Sequence, residues 1–145
     1  MSGTVYFLPS LVLVAGIGQI GIVAASLAIP HVLRWREDTA RLRPLTRQVF
    51  WTYAIYIWFT NLAFGLVSLR PNWLLDRSPL AACLTGFITA YWSGRVLIQF
   101  FYFDRSDAPT GSRILFAEIV LVGLFIYLSL VYTASVLFNL GVIGL

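Results

Sequence analysis

Two ionisable residues stand inside otherwise apolar stretches of this chain. Arg95 lies in YWSGRVLIQFFYF (91–103), and Glu118 lies in the run that opens at Arg113. Charged groups at membrane depth are expensive and usually face protein or a water-filled cavity. On a helix, Arg95 stands about 12 Å from Phe103 and Glu118 about 7 Å from Arg113. An arginine can extend its side chain toward the interface to close such a gap, so an Arg95–Glu118 pair is expected. Gln99 lies one turn after Arg95, Trp92 and Tyr91 lie one turn before it, and Tyr132 shares a stripe with Glu118. Arg95, Gln99, Glu118, Trp92 and Tyr132 therefore form a candidate ligand site. The guanidinium fork suits a phosphate or carboxylate, and the rings suit the tail of a lipid or quinone. The competing reading is an ion pair that fixes helix register.

Gln19 and Asn61 are a second candidate contact. Counted from the arginine-rich ends of their helices they lie at similar depth, which predicts an interhelical amide hydrogen bond. His31, the one histidine, follows Pro30 at a helix end. It suits an interfacial position, and its near-neutral pKa leaves a proton-handling role open. No His, Cys, Asp or Glu cluster has metal-ligand spacing, so no metal is expected. A bis-histidine haem needs a second axial ligand. The single cysteine, Cys83, excludes an internal disulfide and any CxxC motif. No serine or cysteine has a nucleophile's context, so no catalytic residue and no cofactor are assigned.

Residues 16–21 read GIGQIG, a literal GxGxxG with Glu37 and Asp38 about 20 residues on. A dinucleotide site also requires a soluble βαβ unit. The rest of the chain argues against one. Of its 145 residues 59% are hydrophobic and 11% charged, where a soluble domain has about 25% charged. Apolar runs at about 5–29, 48–69, 79–103 and 113–140 each reach the roughly 20 residues a spanning helix needs. The expected fold is all-α: a polytopic integral membrane protein, one four-helix transmembrane bundle with short loops. Pro9 suits the first turn of the first helix, Pro30 its end and Pro44 the entry to the second. Ser78-Pro79 reads as an N-cap followed by proline at the first helical position.

The net charge of +4 comes from ten arginines and no lysine. Arg34, Arg36, Arg41, Arg43 and Arg47 lie in the first loop, with Arg105 and Arg113 in the third. The second loop holds Arg70 and Arg77. This bias makes loops one and three cytoplasmic and both termini non-cytoplasmic, in the inner membrane of a bacterium by default. The first loop suits contact with anionic lipid. Nothing resembles a nucleic-acid-binding signature. The N-terminus lacks a positive n-region, so no cleaved signal peptide is expected.

Small residues recur at helical spacing: Gly18, Gly21, Ala25 and Ala28; Ala54, Trp58, Asn61, Gly65 and Ser68; and Ala82, Gly86, Thr89 and Ser93. Such faces let membrane helices approach closely, so a compact bundle is expected. In size and helix count the chain resembles small four-helix membrane families, including the DoxX-like proteins and the membrane-associated eicosanoid and glutathione enzymes. The polar motifs of those enzymes are absent, and no site residues carry over. The leading expectation is a non-enzymatic accessory or scaffold subunit that contacts lipid, other membrane subunits or its own copies. A lipid- or quinone-binding enzyme or carrier using Arg95 and Glu118 is the alternative, and a small transporter the third.

Overall fold

Proline and hydroxyl placement sets the helix starts. The computed structural model describes residues 6–106 and 108–144; residue 5, the expected start of the first helix, lies outside them. Helix α1 (Leu8–Ser26) opens with Pro9 in its first turn, where the missing N–H is no loss. A tight turn at Leu27 and Ala28 leads into the short α2 (Ile29–Val32), with Pro30 in its first turn. Arg34 breaks the helix with a left-handed φ of 50°, and α3 (Trp35–Ala40) follows. Pro44 starts α4 (Pro44–Ser68), four residues before the apolar run. After α5 (Pro71–Leu74), Ser78 caps α6 (Pro79–Phe101) by accepting from the Ala81 N–H at 3.0 Å. Helix α7 (Ser112–Asn139) is the longest.

The described residues contain no strand. Four helical segments are long and apolar enough to cross a membrane: Leu8–Val32, Pro44–Ser68, Pro79–Phe101 and Ser112–Asn139. GIGQIG lies within α1 with helix on both sides, so the strand that a dinucleotide fingerprint requires is missing.

Packing pairs α6 with α7 and α1 with α4, and α1 joins the two pairs through α7. The α1–α4 approach is closest at two glycines. A Cβ on Gly16 would stand 3.0 Å from the Ser68 backbone and 3.1 Å from the Gly65 carbonyl oxygen. A Cβ on Gly65 would stand 2.9 Å from Ile20 and 3.4 Å from the Gly16 carbonyl oxygen. The stripe on α4 faces inward as its spacing predicts, with Asn61, Gly65 and Ser68 buried. The expected α1 stripe does not. Gly18 touches the end of Leu124, whereas Gly21, Ala25 and Ala28 are exposed. The contact face lies two residues away in register, on Gly16 and Ile20.

The core is uneven along the bundle. The buried residues of α4 run from Asn61 to Ser68, those of α6 from Ala81 to Trp92, and those of α7 from Phe125 to Asn139. All lie toward one end. The halves of α4, α6 and α7 nearer the arginine-rich loops bury almost nothing. Along their whole length α4 and α6 hardly approach each other; their side chains meet where Phe64 stands edge-on to Phe87 and Tyr91 at centroid distances of 5.8 and 5.2 Å. The result is a bundle whose buried core closes one end and thins toward the other.

Candidate functional site

At the inner limit of the closed half, each long helix contributes one polar side chain to a dry knot. Gln19, Ser68 and Tyr132 are 0% exposed and Trp92 is 1% exposed. The Trp92 indole N–H donates to Gln19 Oε1 at 3.1 Å. Gln19 Nε2 donates to the Tyr132 hydroxyl and, at 3.4 Å, to the Ala15 carbonyl. Ser68 Oγ donates to the Phe64 carbonyl at 2.7 Å, so it receives the Tyr132 proton on a lone pair. The bonds run one way, from Trp92 through Gln19, Tyr132 and Ser68 to a backbone carbonyl. Every donor is used, which removes the penalty a buried polar group would otherwise carry.

This knot replaces the expected Gln19–Asn61 bond. Gly16 abuts Gly65 and Ser68, so Gln19 lies near the level of those residues. Val23, a turn further on, accepts from the Trp58 indole N–H at 3.2 Å. Counting from helix ends misplaced the register because α2 and α3 intervene and α4 begins at Pro44. Asn61 instead faces Tyr91 of α6. It is 9% exposed, and its Oδ1 accepts no hydrogen bond among the described residues.

The expected Arg95–Glu118 pair is also absent. Glu118 Oε2 accepts from Arg105, in the turn after α6, and its Oε1 accepts from Gln99 Nε2 at 3.4 Å. The physical reason is cost. Arg105 reaches the carboxylate from a side chain 58% exposed, without burying a cation. The Arg95 guanidinium lies over the rings of Phe103 and Phe125 at 5.0 and 5.3 Å, within the range of a cation–π contact. It makes no hydrogen bond or salt bridge to any described residue. The five candidate ligand residues therefore divide. Trp92 and Tyr132 are sealed in the knot, Gln99 and Glu118 join Arg105, and Arg95 stands between the groups on Phe125, whose other neighbour is Trp92 at 5.3 Å.

A second polar cluster, which the sequence reading missed, closes the opposite end. Asn139 Nδ2 donates to the Leu74 carbonyl at 2.7 Å and to Thr85 Oγ1 at 3.3 Å, and its Oδ1 accepts from the Arg77 N–H at 3.1 Å. Arg77 has a left-handed φ of 59° and its guanidinium lies 4.6 Å from the Phe138 ring centroid. This cluster holds the α4–α6 connection over the bundle, with Leu74 wholly buried. The clue was an amide near the end of an apolar helix.

At the arginine-rich end, Trp35, Phe50 and Trp51 meet edge-on at 5.0, 6.1 and 5.8 Å and pin α3 to the start of α4. Beside them an open groove of about 520 Å³ is lined by Arg36, Thr39, Ala40, Arg47 and Trp51. His31 is exposed. Among the described residues no group of His, Cys, Asp and Glu is placed to hold a metal ion. No protein-family model, curated protein or solved structure matches the chain. The roles of these residues rest on their chemistry alone.

Proposed function

We propose that the chain is an accessory or scaffold subunit of a membrane assembly, inserted through its four apolar helices. It works through contacts rather than turnover. The observation that carries this reading is the knot: the mid-depth polar groups of all four long helices are spent on one another. A carrier or channel needs such groups facing an aqueous path. Outside the knot, Tyr53, Tyr56 and Phe59 on α4 are 63%, 63% and 56% exposed, which supplies an aromatic face for a membrane neighbour.

The proposed orientation has the arginine-rich loops in the cytoplasm and the closed end outside, in a bacterial inner membrane, as the charge bias favours. Cys83 lies within the span of α6, so a single cysteine placed at exposed Asn72 in the α4–α6 connection, with Cys83→Ser, reports on it. A membrane-impermeant maleimide should label that cysteine from outside sealed vesicles of native orientation; labelling only after the vesicles are opened reverses the topology.

The subunit role is tested by placing a photo-crosslinking residue at Tyr56 and Phe59 in the native membrane, with Leu130 on α7 for comparison. Defined protein adducts at the α4 positions are expected. Lipid adducts alone at every position overturn the reading.

A further inference from the structure

We infer that the groove between α3 and α4 is a phosphate site at the membrane surface, and that its occupant is the headgroup phosphate of an anionic phospholipid. The inference rests on the membrane insertion proposed above and is independent of the subunit role.

Two helix faces make the groove. On α3, Arg36, Thr39 and Ala40 fall at i, i+3 and i+4; on α4, Arg47 and Trp51 fall at i and i+4. Each set therefore lies on one side of its helix. The groove of about 520 Å³ joins the two sides. Its walls are held before any ligand arrives. Trp35 packs edge-on against Phe50 and Trp51, and the hydroxyl of buried Thr39 donates back to the Trp35 carbonyl. A site fixed in advance loses less on binding than one that must be ordered.

The lining decides the ligand. It offers two guanidiniums and an indole, and no carboxylate. Glu37 and Asp38 also belong to α3 but do not line the groove, and Glu37 stands 3.9 Å from Arg34. Neither Arg36 nor Arg47 forms a salt bridge with a described residue. Such a groove draws an anion. A carboxylate presents its two oxygens to one guanidinium fork, whereas the oxygens of a phosphate spread in several directions and accept from two. Position supplies the source. One membrane-length segment ends at Val32 and the next begins at Pro44, so α3 lies between two spans, where headgroups lie once those helices are inserted. Ile55, one turn past Trp51, is 53% exposed, which carries apolar surface from the groove along the span. A lipid uses both features; a soluble phosphate uses only the groove.

The test is native mass spectrometry of the full chain in detergent with equal amounts of phosphatidylglycerol and phosphatidylcholine. The second carries the same phosphate with a fixed cation beside it. Wild type should retain phosphatidylglycerol about tenfold over phosphatidylcholine, the weight of one charge-assisted bond. Arg36→Gln with Arg47→Gln should bring the two lipids within about twofold, and Arg36→Lys with Arg47→Lys should keep part of the preference. Arg41→Gln with Arg43→Gln takes the same charge from the same loop but outside the groove, and should leave a preference of at least about fivefold. Equal loss in the two glutamine pairs would mean diffuse attraction by the loop and overturns the site. So does a wild type without preference, or an unchanged profile in Arg36→Gln with Arg47→Gln. Excess glycerol 3-phosphate should leave the lipid bound; displacement would assign the groove to a soluble phosphate and overturns the lipid headgroup. Wild type recovered outside the membrane fraction would remove the membrane placement itself, a distinct failure.

Discussion

The Tyr132 hydroxyl on α7 donates to the Ser68 hydroxyl on α4, 64 residues away in the chain, where both side chains are fully buried. That bond is the last interhelical step of the chain that begins at Trp92, and it helps join the α1–α4 pair to the α6–α7 pair.

Tyr132→Phe keeps the ring and removes the link. Gln19 Nε2 then loses its best acceptor in a site without water. The cost should be about 1–2 kcal/mol, above the average membrane hydrogen bond. Reversible unfolding in mixed micelles measures it, and an unchanged midpoint would show that the knot does not hold the bundle.

The glycines of GIGQIG should differ sharply under the same substitution. Gly16→Ala drives a methyl against the Ser68 and Gly65 backbones, which cannot step aside. Overpacking of about 1–3 kcal/mol should outweigh the roughly 1 kcal/mol gained in helix propensity. Gly18→Ala meets only the mobile end of Leu124, and Gly21→Ala meets nothing within 4 Å. Thermal melts should order the variants with Gly16→Ala lowest and Gly21→Ala at or above wild type. Equal melts would place the α1–α4 contact elsewhere.

A double-mutant cycle separates the two possible partners of Glu118. Arg105→Ala with Glu118→Gln should show a coupling of about 0.5 kcal/mol, because the pair is partly exposed, and high salt should shrink it. Arg95→Ala with Glu118→Gln should be additive. Coupling found only in the second cycle restores the Arg95–Glu118 pair.

The loop aspartates should show an acid dependence. Asp76 has its carboxyl lowered by hydrogen bonds from the Ser78 side chain and backbone, and Asp104 by those of Ser106. Both therefore titrate below the ordinary 3.8. A group whose folded pKa is depressed contributes stability that is present above its unfolded value and fades as pH falls through the folded one. These two turns should be unaffected from neutral pH to about 4 and loosen below that. Carboxyl carbon NMR titration checks it; midpoints at or above 3.8 contradict the hydrogen bonds.

Asn139→Leu should free the α4–α6 connection. It orphans the Leu74 carbonyl and the Arg77 N–H together, at about 2 kcal/mol. Hydrogen exchange should rise across residues 70–78 while the knot stays protected. Uniform exchange would mean that the cap and knot open as one unit.

Much of this architecture is readable along the chain, and the misreadings share one cause. Ser78 caps its helix, and Asn61, Gly65 and Ser68 face inward, because capping and helical periodicity are local properties. Gln19, Trp92 and Tyr132 stand out as polar residues in apolar runs, yet their partners were assigned by depth alone. Depth leaves two quantities open: the axial shift of one helix against another, and the direction each side chain takes around its axis. Helix α4 ends at Ser68 beside residues that lie well inside α6 and α7, and Leu74 covers that end. Counting from helix termini therefore slides Gln19 past its true neighbours.

Local chemistry and hydropathy settle the four apolar helices, their starts and the asymmetry of charge, because each depends on a few adjacent residues. Packing alone decides that Gly16 meets Gly65, that Glu118 closes on Arg105, and that Arg95 rests on Phe103 and Phe125. Those outcomes depend on which surfaces fit at close range, and a shift of one helical turn exchanges every partner while leaving the pattern along the chain unchanged.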